Sequence, residues 1–246
     1  MQPSFRLISI EGLTASVLTV QAEDSLPMAI HRLGLPQHRR TLVLVGGASK
    51  ISQADFSRLQ TLFVEVLAPL AERLDMVVVD GGTDAGVMKL MGNARTQTAG
   101  SFPLVGVAPV GLVSLPAKPS SQADAAPIEP HHTHCLLIPG SEWGDESPWI
   151  ARTATAIAGD MPSVTILING GGVTWKDAAC SLEENRPIIV ISGSGRTADV
   201  IAAALRGEPV GDERATALVD SGLLQAVDLD SEGRVLAEVL QSRLMF

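Results

Sequence analysis

The residues best placed to do chemistry gather where apolar runs give way to glycine. VLVGGAS (Val43–Ser49), VVVDGGTDAGVM (Val77–Met88), TILINGGGVTWKD (Thr165–Asp177) and IIVISGSGRTAD (Ile188–Asp199) share this form. Glycine adopts positive φ and brings the backbone close to a ligand without a Cβ in the way, so its N–H groups can cradle phosphate oxygens. A helix that starts just after such a turn adds unpaired N–H groups and about half a positive charge at its first turn. Arg196 directly follows Gly193, Ser194 and Gly195, and a guanidinium fork matches phosphate geometry while staying charged. A single glycine turn could be no more than a tight strand-to-helix connection. Four of them, one followed by arginine, point to a phosphate or nucleotide site. None fits G-x-G-x-x-G with an acidic residue after the next strand, or G-x-x-x-x-G-K-[ST], which disfavours an ordinary NAD dehydrogenase or P-loop NTPase.

Three further groups could react or bind. SEWGDESPW (Ser141–Trp149) is acidic and would repel phosphate. It could bond ribose hydroxyls, hold a divalent cation that bridges a diphosphate, or cap a helix through Asp145 or Ser147. Trp143 and Trp149 could each stack on a base or pack in the core. His131, His132 and His134 raise a metal reading, since His132 and His134 share a face of an extended segment, but no third ligand is evident. Lys50, after the first glycine pair, is a further candidate for phosphate.

These turns need strands to carry them. Thr41–Val45, Met76–Val79, Leu104–Val107, Cys135–Ile138, Val164–Ile168 and Ile188–Ile191 are apolar on nearly every residue, the pattern of strands covered on both faces in a parallel sheet. Between them lie helix-spaced sets: Phe56, Leu59, Phe63, Val66, Leu67 and Leu70; Val87, Met88 and Met91; Ile150, Ala154 and Ile157; Val200, Ile201, Ala204 and Leu205. The alternation predicts an α/β fold, Rossmann-like and doubly wound, with helices on both faces of a mostly parallel sheet. In such a sheet all the glycine turns share the carboxyl edge, where ligands bind. Residues 1–40 read as a hairpin and a helix (Ser25–Leu33) attached to that core. Val113–Pro130, rich in Pro, Ala, Ser and Gln, reads as a mobile loop or a lid, and the tail beyond Gly211 as two helices around a strand at Leu224–Leu229.

With 246 residues, 46% of them apolar, the chain suits one large α/β domain. Its apolar runs are far too short to span a bilayer, and MQPSFRLISIEG lacks the features of a secretory signal, so the expected location is the cytoplasm. Cys135 and Cys180 lack C-x-x-C spacing and are expected to be buried free thiols. The net charge of −9 argues against nucleic acid or anionic lipid as partner and requires any anion site to be locally positive. A homo-oligomer or a separate effector protein remains an open partner.

Four segments, in chain order, resemble the SLOG superfamily of Rossmann-like nucleotide-derivative binders, within it the TRPM-like branch called LSDAT. VVVDGGTDAGVMKLMG is similar to the TGG-x-x-x-x-V-M-K-x-x-G segment of TRPM channel cytoplasmic domains. HHTHCLLIPG (His131–Gly140) resembles their N-H-T-H-F-x-L-V. TILINGGGVTWKDAA stands in the place of E-G-G-P-G-T, and PIIVISGSGRTADVIA resembles V-V-V-E-G-S-G-R-x-A-D-x-I-A. The order holds over roughly Thr41–Leu205. The resemblance implies an ADP-ribose-like ligand, with Gly81, Gly82 and Thr83 on one side, Gly171 and Thr174 on another, Arg196 on phosphate and Arg152 near a family arginine. Because H-T-H recurs in that pattern, the histidines are expected to be structural, bonded to loop carbonyls. The channel's transmembrane part is absent from the chain, so a channel is not expected.

A second branch, the LOG-like phosphoribohydrolases, cleaves the N-glycosidic bond of nucleoside monophosphates and carries G-G-G-x-x-G-L-M-G and P-G-G-x-G-T-x-x-E. Gly81, Gly82, Gly86, Val87 and Met88 keep register with the first motif, where Thr83 and Lys89 replace glycines. Gly170, Gly171 and Thr174 keep register with the second, but Asn169 stands for Pro, Val173 for Gly and Asp177 for the catalytic Glu. A shorter carboxylate that misplaces the reacting group costs about two orders of magnitude in rate. Sensing is therefore favoured over hydrolysis, with Asp177 and Glu142 the acidic candidates if the chain is an enzyme and an interaction module with a vestigial pocket as a third reading. The expected crevice comprises Gly46, Gly47 and Ser49; Gly81, Gly82, Thr83, Asp84 and Gly86; Gly140, Ser141 and Glu142; Gly170, Gly171, Gly172 and Thr174; and Gly193, Ser194, Gly195 and Arg196, with no cofactor required.

Overall fold

The computed structural model describes residues 4–47, 53–116 and 120–245. Ser49 and Lys50 lie outside the described residues. The apolar runs form β3 (Thr41–Gly46), β4 (Val77–Asp80), β5 (Leu104–Pro109), β8 (His134–Ile138), β9 (Ser163–Ile168) and β10 (Ile188–Ser192). They are apolar at most positions because both faces are covered. Val43 and Val45 enter the core on one face of the sheet, and Leu42 and Leu44 enter the core on the other.

A hairpin, β1 (Ser4–Ile10) and β2 (Leu13–Thr19), closes one end of the sheet, and β11 (Leu224–Asp228) closes the other. The order is β1-β2-β8-β5-β4-β3-β9-β10-β11, and every neighbouring pair is parallel except β1 with β2. From β3 the chain first winds outward through β4 and β5 to β8, then returns to the other flank of β3 with β9. The winding reverses between β3 and β9, the position at which open α/β sheets part to admit ligands.

One face carries α1 (Leu26–Leu33), α5 (Ser147–Ala158), α6 (Gly172–Glu183), α7 (Arg196–Leu205) and α8 (Glu213–Val219). The other carries α4 (Gly86–Gln97), α9 (Gly233–Leu244) and a helix in three parts: α2 (Gln53–Leu62), a π-helical turn at Phe63–Leu67, and α3 (Ala68–Arg73). Pro69, which has no N–H to donate to the preceding turn, stands where the helix resumes α geometry.

Among the described residues no helix covers the β8–β2–β1 end of that second face. The segment after β5 does so instead, through two short strands, β6 (Val113–Ser114) and β7 (Ala126–Pro127), that pair with each other. Val113, Leu115 and Ile128 pack against Val17, Ala108, Cys135 and Leu137 to form a third core. Most of Val113–Pro130, expected to be a mobile loop or a lid, is a strap fastened over apolar surface. Residues 117–119 lie outside the described residues.

Candidate functional site

Glycine loops following β3, β4 and β9 open onto one cavity of about 600 Å³ at the reversal of winding. Gly46 and Gly47 line it from β3, Gly81 and Thr83 from β4, and Gly171, Gly172 and Thr174 from β9 and the start of α6. The Gly171 N–H donates to Thr174 Oγ1 (3.1 Å), which fixes the first turn of α6 so that its remaining amides face the cavity end. Arg196, at the start of α7, reaches the same wall. A Cβ on Gly171 would lie 3.0 Å from Arg196 Nη2, so glycine leaves the guanidinium its place. Arg196 itself has φ of 54°, an uncommon conformation for a residue with a side chain and one that clusters at ligand sites.

Asn169, at the end of β9, ties these loops together. Its Nδ2–H donates to Ser194 O (2.7 Å) and its Oδ1 accepts from the Gly170 N–H (2.8 Å). The Ser194 hydroxyl in turn accepts from the Asn169 N–H (2.8 Å). With φ of 55°, the position also favours a residue that tolerates left-handed backbone, as Asn does. This departure from proline is therefore a clamp between the β9 and β10 loops, and Asn169→Ala should cost about 1–3 kcal/mol through the unpaired buried groups it leaves. Chemical denaturation of the two proteins measures that difference.

The cavity lining also has an acidic part. Asp177, on α6, and Glu146, before α5, are both buried and both line the cavity. Burial pushes the Asp177 carboxyl up to about 7. Ser147 Oγ stands near enough to oppose the rise but makes no hydrogen bond of good geometry, the Glu146 charge adds to the rise, and Lys176 opposes it. Asp177 Oδ1 has no hydrogen-bond partner. Burial likewise raises Glu146, whose Oε2 accepts from the Gly144 N–H (2.8 Å). Trp143, 38% exposed, lines the cavity, whereas Trp149 packs in the core. Asp124 and Ala126 bring the strap to the same cavity.

Several expected residues are placed elsewhere. Glu142 does not line the cavity; Glu146 is the acidic residue of its loop that does, because Asp145 Oδ2 accepts from the Ser141 and Glu142 amides (3.0 and 3.1 Å) and folds that turn on itself. Neither Asp145 nor Ser147 caps α5 by a side-chain hydrogen bond. Arg152 lies over the Trp149 ring, 4.9 Å from its centroid, and is not among the cavity residues. Gly82, Asp84, Gly86, Gly140, Ser141, Gly170, Gly193, Ser194 and Gly195 shape the loops without lining the cavity. Asp84 instead pairs with Lys89 (3.1 Å), and the Gly193 N–H donates to Asp199 (2.7 Å).

Beneath the glycine loop after β4 lies a buried ionic network that spacing alone did not disclose. His132 Nε2 donates to Asp80 Oδ1 (2.8 Å) and Nδ1 to Glu129 Oε2 (2.8 Å). Asp80 Oδ1 also accepts from the Gly82 N–H (2.7 Å), and Glu129 binds the His131 ring. Burial lowers the His132 imidazole, but the flanking Asp80 and Glu129 carboxylates outweigh it and raise it to about 9. A Cβ at Gly92 would lie 2.2 Å from the Glu129 carboxyl, which explains the glycine in α4. The histidines thus bond carboxylates rather than the expected loop carbonyls. His134, half-buried near Arg95, is lowered by burial to about 4 and meets the Thr133 hydroxyl (2.7 Å). Among the described residues no group of three or more His, Cys, Asp and Glu is arranged to hold a metal, and no helix is long and apolar enough to cross a membrane. Both cysteines are buried free thiols.

Comparison with known proteins adds ancestry to this geometry. The chain is 24% identical over 204 residues to the mouse transient receptor potential cation channel subfamily M member 2, covering 69% of this chain and 13% of that protein. It is 26% identical over 221 residues to the subfamily M member-like 2 protein of Nematostella vectensis, covering 75% of this chain and 14% of that one. The chain therefore spans about one seventh of these relatives' length. The X-ray structure of TM1055, a structural-genomics target, superposes with a TM-score of 0.56 at 19% identity, over 82% of this chain and 99% of that one, and shares the fold. The family model described as "SLOG in TRPM, prokaryote" matches residues 39–237, and the chain belongs to that family.

Proposed function

We propose that the chain binds a nucleotide-derived ligand of the ADP-ribose kind and senses it in the cytoplasm. The observation that carries this reading is the polarity of the cavity. The Gly172 backbone amide, at the start of α6, and the Arg196 guanidinium make one wall positive, while Asp177 and Glu146 make the other acidic. Phosphate suits the first wall and ribose hydroxyls, as hydrogen-bond donors, suit the second. Trp143 offers a face to a base. A volume of about 600 Å³ falls within the range of small-molecule sites, ~300–1,000 Å³.

Thermal unfolding against ADP-ribose, cyclic ADP-ribose, NAD and AMP, with each mixture then chromatographed for freed base, tests the reading. A ligand at a hundred times its dissociation constant adds ~2.7 kcal/mol of stability. Stabilisation by intact ligand supports sensing, and the absence of any shift across the panel overturns it. Arg196→Ala should weaken phosphate-bearing ligands by ~1.5–3 kcal/mol, the range for charge-assisted hydrogen bonds. Equal affinity of wild type and variant by calorimetry would remove Arg196 from the site.

Asp177 favours a second reading, N-glycoside hydrolysis. It stands where LOG-like phosphoribohydrolases carry glutamate, and a carboxyl raised to about 7 is suited to proton transfer near neutrality. Released base in the same chromatograms, lost in Asp177→Asn, would establish it.

A further inference from the structure

A second cavity, of about 290 Å³, lies at the far end of the sheet from the first, where the strap crosses the hairpin. Arg6 of β1 enters it with alternate residues of its strand. Arg6, Ile8 and Ile10 face the third core, whereas Phe5 and Leu7 face outward, 45% and 64% exposed. Arg6 Nε is buried with no hydrogen-bond acceptor, and no carboxylate pairs with this guanidinium among the described residues. Among the described residues no acidic one lines the cavity, although the chain has 27 Asp and Glu against 18 Lys and Arg. The surface opposite Arg6 is polar strap, Ser120, Ser121 and Gln122. The Ser120 hydroxyl is already engaged, donating to Gly111 O (3.2 Å) and accepting from the Gln122 N–H (3.2 Å). The Ser121 hydroxyl and the Gln122 amide are the groups that could serve a guest.

A buried N–H without an acceptor is costly, and native structures rarely leave one. A guanidinium pairs best with a planar or tetrahedral oxyanion, to which it offers parallel donors. We propose that this second cavity is a binding site for a small oxyanion, phosphate or carboxylate, held by Arg6 and by the polar side chains of the strap at Ser121 and Gln122. The site is separate from the nucleotide cavity, since the two share no lining residue. They share only the strap, whose residues 120–122 face one and Asp124 and Ala126 the other.

The test uses the whole chain with sodium phosphate or sodium acetate as probe at fixed ionic strength, with chloride as the balancing salt. Thermal unfolding should show a saturable rise of the midpoint with phosphate, acetate or both. That rise should persist in Arg196→Ala, which blunts the first cavity, and vanish in Arg6→Gln. Because Arg6 has no partner to lose among the described residues, Arg6→Gln should fold as the parent does. Amide hydrogen exchange gives the location: the probe should slow exchange at Ser120–Gln122 and leave Gly171–Gly172 unchanged. Response to phosphate alone would assign the site to phosphate, and response to acetate to carboxylates. No saturable response to either, or one abolished by Arg196→Ala and untouched by Arg6→Gln, overturns the proposal.

Discussion

Replacing His132 by phenylalanine should destabilise the protein by about 3–5 kcal/mol, the cost of leaving buried charge without its counter-ion. The imidazole is wholly buried and bonds carboxylates on either side, Asp80 at the end of β4 and Glu129 in the strap. Phenylalanine fills a similar volume and strands both. The loss has a pH signature. With its folded value raised to about 9 from an ordinary 6.5, His132 contributes stability that is fully present below about 6.5 and is lost as the pH rises through 9. Burial raises the Glu129 carboxyl, but the two histidines outweigh burial and hold it below its ordinary value, so its contribution is lost instead as the pH falls into the acid range. Denaturant midpoints should therefore separate wild type from His132→Phe most widely near pH 5–6.5 and converge towards pH 9. A constant gap across that range would mean that His132 acts by packing alone. The effect should also be local. The amides of Asp84, in the loop after β4, and Glu129, in the strap, which bond Pro127 O (2.9 Å) and Gly82 O (3.0 Å), should exchange faster in the variant than those of β9 and β10.

The partner at issue, Asp80, lies 52 residues before His132, which is why periodicity could find the parallel sheet and yet miss this network. Strands such as that at Met76–Val79 were legible because a strand covered on both faces is apolar at nearly every position, a rule that needs no knowledge of neighbours. The cavity's glycine loops were legible for a similar reason, since turns after parallel strands share one edge. α6 was harder, because Thr174, Lys176, Asp177 and Ser181 dilute its apolar stripe, and its place rests on packing against α5 and β3. The choice of Glu146 over Glu142 depends on how Asp145 folds a five-residue turn, a decision made by hydrogen bonds rather than by spacing. Asp124 reaches the cavity only because the strap is pinned at Thr83 and Ile128, a pairing between residues distant in the chain. Asn169 was visible as a departure from proline, but its role as a clamp appears only once Ser194 is beside it.

Asp177→Asn should make the protein more stable at pH 8 while leaving it little changed at pH 4. In the unfolded chain this carboxyl titrates near 3.9, whereas burial raises it to about 7 in the fold. The folded state thus holds its proton more tightly, so the favourable contribution is fully present below about 4 and is lost as the pH rises through 7. At about 1.4 kcal/mol per pH unit the loss approaches roughly 4 kcal/mol, an upper figure because the Glu146 charge couples to the titration. Asparagine keeps the shape without the charge, so denaturant midpoints of the variant should stay level where those of wild type fall. Parallel curves would show that Asp177 is solvated well enough to ionise at its ordinary value. A carboxyl with an unpartnered oxygen in a buried wall lowers stability at neutral pH, and such residues are concentrated where ligands bind. If ribose hydroxyls are what that oxygen accepts, saturating ligand should recover part of the loss in wild type and none in Asp177→Asn. The pH dependence of ligand-induced stabilisation then reports whether the acidic wall is part of the binding site.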